Sequence, residues 1–438
     1  METPSVAGRP CVLFADRPPA AEATPLFGLT PVERTALAFA RAGVRRFFLA
    51  GSPEAVATLA RVLAAGRCRR LRVRPVEALT PVVGGGPFFV ARTDCHYDRQ
   101  LVARFVDETT TTADSVMAVD FRDGARERGP ELPLAAVWSR EARARVQRIA
   151  RGLVGADGVV VGLALVTPAF ARAADASLQQ AEGREDGRAW LAGLAALLAR
   201  EPVESWAVAE RWQSVRDEEQ VPRARREVLA GAVRVGDGVI ARHLNRPISR
   251  RITERLVARP VAPWQVSVVS FLTTVAAGLS FAVGHATTGG LLAQCASVLD
   301  GVDGELARVR YQDSAFGGLY DALLDRVGEA AVLGGMTLYA WIMGAGAWAV
   351  VLGFAALAGN SLSMLVKEKY GTQFRQPWSM EREGRWRWLL LGRDGRLFLT
   401  LVAGLTGQVE LVLAYLAVGT HLHAGARIVR VRAEAARA

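Results

Sequence analysis

Two kinds of hydrophobic patterning divide the 438-residue chain. Up to about residue 230, short apolar runs alternate with stretches whose apolar side chains recur at helical spacing. Runs at 10–15, 46–50 and 87–91 read as strands, with helices over 32–42 and 53–65 between them. This alternation predicts an α/β unit with a largely parallel sheet. The apolar run 158–168 is too short to cross a bilayer and reads as a buried strand.

From Trp264 onward the apolar stretches lengthen to roughly the 20 residues that a membrane span needs. Six spans are predicted: 264–283, 289–309, 316–343, 347–366, and two within 396–429, split near Thr406-Gly407-Gln408. Arginine placement follows the same division. Basic residues precede the first span, as in Arg246, Arg250 and Arg251, and Arg308 and Arg310 stand between the second and third. A long basic loop, 367–396, separates the fourth from the fifth, and Arg427, Arg430 and Arg432 follow at the end. The connections 285–290, 344–346 and 406–408 hold no arginine or lysine. The positive-inside rule then predicts both termini on the cytoplasmic side. The opening Met-Glu-Thr-Pro-Ser lacks a basic n-region and an apolar core, so no signal peptide is expected.

Composition narrows the classes further. At 51% hydrophobic and 22% charged residues, the chain is no disordered tail, and its length points to more than one domain. Cys11, Cys68, Cys95 and Cys295 are scattered, which excludes a disulfide framework or a CxxC-type zinc site. The formal charge of +11 is carried almost wholly by arginine, the lysines being Lys367 and Lys369. Positive charge of this size fits a membrane surface or an anionic substrate. No fold motif supports a nucleic-acid surface, so no nucleic-acid partner is expected. Trp378, Trp386 and Trp388, set among arginines, read as interfacial anchors, and His421 and His423 as packing residues.

The chemistry concentrates between the second and third spans. On a helix Asp300 and Asp303 are i,i+3, and Asp321 and Asp325 are i,i+4, so each span presents two carboxylates near the connecting turn. Four carboxylates that close are tolerated in a low-dielectric site when cations neutralise them, and all-oxygen ligands select Mg²⁺ or Mn²⁺. Gly304, Ala307 and Gly317 are small enough to admit a ligand or a neighbouring helix.

Residues 300–325 match in full the pattern D-x2-D-G-x2-A-R-x8-G-x3-D-x3-D and so resemble the CDP-alcohol phosphotransferases. The resemblance implies a six-helix membrane domain. It also implies a metal-dependent reaction in which an acceptor hydroxyl attacks a CDP-alcohol and CMP leaves. By match to the pattern, Asp300, Asp303 and Asp321 would be metal ligands for two ions, with Asp325 the base that also touches metal. Asp300, Gly304, Ala307, Arg308 and Gly317 would form the CDP site. The stretches 245–250, 299–308 and 392–396 resemble a narrower branch, the bifunctional inositol-1-phosphate cytidylyltransferase/di-myo-inositol-phosphate-phosphate synthases. That branch implies CDP-inositol as donor and an inositol phosphate as acceptor. Lys367, Arg393, Arg396 and Arg427 are the candidate acceptor ligands, since each adjoins a span on the cytoplasmic side. The family also implies a homodimer.

The first half resembles a GT-A-type nucleotidyltransferase. Pro31-Val-Glu-Arg-Thr with Gly43-Val44 matches the helix after the nucleotide loop, and Asp94 falls at the metal position. The second acidic position falls at Ser214 or Arg216, and the glycine-rich loop with its lysine is replaced by Asp16-Arg17-Pro18-Pro19. Proline removes the N–H groups that cradle a phosphate, so this half is expected to keep the fold and to have lost cytidylyl transfer. The expected organisation is a cytidylyltransferase-like domain at 1–230, an amphipathic juxtamembrane segment at 231–262 lying on the membrane, and a membrane phosphotransferase domain at 263–438. The competing readings are a phospholipid synthase using CDP-diacylglycerol and a non-catalytic membrane scaffold or transporter.

Overall fold

A computed structural model describes residues 6–15, 24–137, 144–180, 188–233, 237–374 and 378–435. The chain forms two compact units, Met1–Gly231 and Ala232–Ala438.

In the first unit, eleven strands occur among the described residues: β1 (Cys11–Ala15), β2 (Phe47–Gly51), β3 (Arg74–Pro75), β4 (Phe88–Arg92), β5 (Cys95–Tyr97), β6 (Ser115–Asp120), β7 (Leu134–Val137), β8 (Val146–Ala150), β9 (Gly158–Val166), β10 (Val203–Ala207) and β11 (Trp212–Ser214). Nine of them make one sheet in the order β10-β6-β9-β4-β1-β2-β3, with β7 paired to β8 and β9. The flanking helices begin where the sequence offers caps. Thr30 and Glu33 form a reciprocal capping box on Pro31–Arg41, and Asp98 caps Arg99–Thr109. The sheet is mixed rather than largely parallel. β9 runs antiparallel to both β4 and β6 because it is reached through the β7–β8 meander and not through a crossover helix. Phe14, Phe88, Phe170 and Trp190 interlock over one face, with Phe170 and Trp190 ring centroids 5.5 Å apart.

The second unit is helical: α1 (Arg246–Val257), α2 (Pro263–Ala282), α3 (Ala286–Val309), α4 (Ala315–Ala340), α5 (Ala347–Phe374), α6 (Arg393–Thr406) and α7 (Val409–Ala435). Helices occupy all six stretches read as spans. Among the described residues, four segments are long and apolar enough to cross a membrane: Pro263–Ala282, Ala315–Ala345, Ala347–Phe374 and Val409–Ala435. The other two fall short for physical reasons. The last turns of α3 carry Asp300, Asp303, Glu305 and Arg308, and the 14 residues of α6 reach only about 21 Å.

Glycine sets the turns and the crossings. After α4 the chain reverses through Gly344 and Gly346 at φ 105° and 55°, values that a side chain would strain. Where α2 and α4 cross, a Cβ on Gly335 would fall onto the carbonyl oxygen of Gly278. Large apolar side chains such as Leu272, Leu279, Phe354 and Val418 face outward and exposed, as lipid contact requires.

This crossing makes a direct prediction. Gly335→Val should cost about 1–3 kcal/mol or more through overpacking. Gly334→Val, at a position with open space around its Cβ, should stay within about 0.5 kcal/mol. Thermal unfolding of the detergent-solubilised protein checks this, and equal melting temperatures for the two variants would contradict the close crossing.

Candidate active site

The turn between α3 and α4 places the aspartates. It is closed by Tyr311 at φ 53° and by Ser314, which caps α4 by accepting from Gly317 N at 3.0 Å. Arg310 stitches it to the end of α1, donating to the carbonyls of Leu256, Val257 and Arg259 at 3.0, 2.8 and 2.6 Å. The two helices then bring carboxylate oxygens of Asp300, Asp303 and Asp321 within 4.8 Å of one another. Asp303 is buried and accepts from Ser267 of α2 at 2.5 Å. Asp325 is not part of that trio. The Arg393 guanidinium, at the start of α6, reaches Asp325 at 2.5 Å and Asp300 at 2.5 Å, and so bridges the two aspartate helices.

These groups open on a cavity of about 640 Å³. Asp300, Asp303, Gly304, Arg308, Asp321 and Asp325 line it. So do all four basic residues proposed from sequence, Lys367, Arg393, Arg396 and Arg427. Ala307 and Gly317 do not line it. The basic residues differ in how they are held. Arg393 lies on the aspartates, and Arg396 is buried against Glu329 at 2.7 Å. Arg427 donates to Ser363 O and Oγ at 2.6 and 2.8 Å and is paired with Glu383.

Several residues of the site were not anticipated. Glu329 follows Asp325 by four residues on the same helical stripe, a spacing that could have marked it. It is buried and receives Arg396, Arg326 at 3.0 Å and Asn360 Nδ2 at 2.6 Å. Glu305 lies inside the aspartate pattern at a variable position, so nothing in the spacing pointed to it. It accepts from Arg246 at 2.9 Å, Ser249 at 2.8 Å and Thr253 at 2.7 Å. The juxtamembrane helix α1 therefore packs its polar stripe against α3. Gly301 permits this approach, since a Cβ there would meet Arg246 Nη1 at 2.8 Å.

The loop between α5 and α6 also turns inward. Trp388 is exposed, as an interfacial anchor would be, but Trp378 is buried and Trp378 and Trp386 line the cavity with His423. Glu383 joins them. Burial alone would raise its pKa, yet hydrogen bonds from His423 and Arg427 hold it down to about 2.

In the first unit, Asp94 is buried and accepts from Arg92 Nε at 2.8 Å. Its neighbour across the β5–β11 pair is Ser214, facing Cys95 in register and donating to Glu131. Arg34 is buried and donates to the carbonyl of Leu26 at 3.1 Å. The Asp16-Arg17-Pro18-Pro19 loop lies outside the described residues.

Comparison with known proteins bears on both units. Residues 261–424 match the family profile for CDP-alcohol phosphatidyltransferase. A protein named bifunctional IPC transferase and DIPP synthase, from Rubrobacter xylanophilus, is 34% identical over 364 residues, covering 78% of this chain and 77% of the relative. One of the same name from Thermococcus kodakarensis is 37% identical over 192 residues, 44% of this chain and 43% of its own. Among solved structures, the inositol-1-phosphate CTP transferase from T. maritima aligns with a TM-score of 0.38 and 12% identity, over 51% of this chain and 97% of that one. The Rubrobacter alignment is longer than the whole second unit, so it reaches well into the first. With four helices able to span a bilayer, the chain is an integral membrane protein. Its aspartate helices and the long alignment with the Rubrobacter protein together show that it belongs to the CDP-alcohol phosphatidyltransferase family.

Proposed function

We propose that the protein transfers a phosphoalcohol group from a CDP-alcohol, with CDP-inositol as the favoured donor, to a hydroxyl of a phosphorylated inositol, releasing CMP. The observation that carries this reading is one cavity lined by all four motif aspartates and by Lys367 and Arg427. A phosphorylated acceptor gives these cations a partner that a neutral acceptor would not. CDP-diacylglycerol as donor is the second reading, and it is favoured by a phosphatidylinositol phosphate synthase of Mycobacteroides abscessus, 30% identical over 104 residues.

Asp300, Asp303 and Asp321 offer only hard carboxylate oxygens, closely grouped, which fits Mg²⁺ or Mn²⁺. When bound, two such ions would neutralise the pyrophosphate and the departing CMP. The chain's own residues do the rest. Asp325 accepts the proton of the acceptor hydroxyl. The freed oxygen attacks the phosphorus that carries the alcohol, the bond to the bridging oxygen breaks, and CMP leaves with that electron pair. Ser267 orients Asp303, and Arg393 orients Asp325 and Asp300. Gly304 and Arg308 line the donor side of the cavity. Lys367 and Arg427 hold the acceptor's phosphate, while Arg396, committed to Glu329, positions α6. Six spans with both termini cytoplasmic complete this reading, supported by the segregation of arginine. A homodimer comes with the family.

The first unit is proposed to have lost cytidylyl transfer. Asp94 is engaged by Arg92, and Ser214 stands where a second carboxylate would hold metal.

Three outcomes test these assignments. Asp300→Asn, Asp303→Asn, Asp321→Asn and Asp325→Asn should each lower CMP release at least about a hundredfold while the protein still inserts. Chelation should do the same reversibly, and undiminished turnover in chelator rules out the mechanism. Lys367→Met should raise the acceptor KM by roughly tenfold or more with the donor KM unchanged, in assays pairing CDP-inositol with inositol 1-phosphate. The Asp325→Asn chain, given CTP, Mg²⁺ and inositol 1-phosphate, should release no pyrophosphate above background, and release at an enzymatic rate would overturn the loss.

A further inference from the structure

The wall of the cavity built by α7 and the loop before α6 contains groups that the transfer reaction has not yet used. Glu383, in the helical turn Met380–Glu383, is buried. Its Oε1 accepts from Trp378 Nε1 at 2.9 Å and from Arg427. Its Oε2 faces His423 Nε2 at 2.5 Å. Trp386 stacks on the imidazole, with centroids 5.9 Å apart and planes 12° from parallel. The ring is therefore fixed in position by a carboxylate at one nitrogen and an indole over its face.

Two nitrogen atoms remain. His423 Nδ1 and Arg427 Nε are shielded from solvent and meet no hydrogen-bond partner among the described residues. Their residues are 3% and 6% exposed, stand one helical turn apart on α7, and both line the cavity beside Lys367. Buried polar nitrogens are costly to leave unpaired, so such a pair marks where a ligand's acceptor atoms belong. The carboxylate of Glu383 engages Nε2, which leaves Nδ1 as the ring atom available to a ligand. A ligand facing this wall therefore meets the imidazole Nδ1 and the guanidinium of Arg427, with a lysine close by. A phosphate monoester supplies several acceptor oxygens and matching negative charge, and a plain hydroxyl does not.

We propose that His423 is a direct ligand of the acceptor's phosphate group and that Glu383 is the positioning residue that aims both His423 and Arg427 at it. This rests on the reading that a phosphorylated acceptor enters the cavity. It makes the loop 378–391 a specificity wall and not only an anchor at the membrane interface.

The test uses the full chain in detergent, CDP-inositol as donor, inositol 1-phosphate as acceptor and inorganic phosphate as a competitor. His423→Gln keeps an amide donor toward Glu383 and removes Nδ1. It should raise the acceptor KM and the phosphate inhibition constant in parallel by roughly tenfold or more, with the donor KM and the melting temperature unchanged. Glu383→Gln, which keeps the shape of the wall, should shift the same two constants in the same direction. Lys367→Met serves as the reference. If it raises the acceptor KM and His423→Gln does not, the role of His423 is overturned while the acceptor site stands. If neither variant moves the acceptor KM, the acceptor site itself is wrong and the proposal falls with it. An equal rise in donor and acceptor KM would mean general damage to the cavity and would also overturn the assignment.

Discussion

The second unit is organised around the crowding of four carboxylates at one helix turn. Asp300 and Asp303 on α3 and Asp321 and Asp325 on α4 would repel one another strongly in surroundings of low dielectric. Opposing cations and donors must therefore be held nearby, and elements far apart in sequence converge to supply them. Ser267 arrives from α2, and Arg393 arrives from the start of α6. Farther along the same helices, α2 and α4 approach through Gly278 and Gly335 with no side chain between them.

A second set of carboxylates secures the surroundings. Glu305, Glu329 and Glu383 are all buried, and each binds at least one arginine. Each also ties one peripheral segment to the bundle. Glu305 fastens the juxtamembrane helix, Glu329 joins α4 to α5 and α6, and Glu383 fastens the loop before α6 to α7. Breaking a buried pair by removing one partner typically costs about 3–5 kcal/mol, so these contacts set where the cavity wall lies more than they add to net stability. The cavity is thus bordered by ion pairs whose geometry fixes the arginines that line it.

The first unit shows the opposite tendency. Here Asp94 is buried against Arg92 and Ser214 donates to Glu131. The sheet and its aromatic core are intact, with Phe14, Phe88, Phe170 and Trp190 closely packed. Such a core depends on apolar volume, while a metal site depends on a few exposed charges.

Patterns confined to one segment could be read from the chain alone. The strand at Gly158–Val166, the helix Pro53–Ala65 and the break at Gly407 between α6 and α7 follow from run length, periodicity and a turn glycine. The aspartate quartet was legible too, because its spacing places four carboxylates on two helical faces regardless of how the helices pack. What remained hidden depends on contacts between distant segments. The antiparallel direction of β9 depends on the path of the chain through β7 and β8, not on the strand's own residues. No local signal distinguishes an arginine that orients a membrane helix from one that clamps Asp300 and Asp325, as Arg393 does. Glu305, Glu383 and His423 are single residues in otherwise ordinary stretches. They acquired their roles only when α1, the loop before α6 and α7 came together, since burial and pairing are properties of the packed bundle and not of the sequence around each residue.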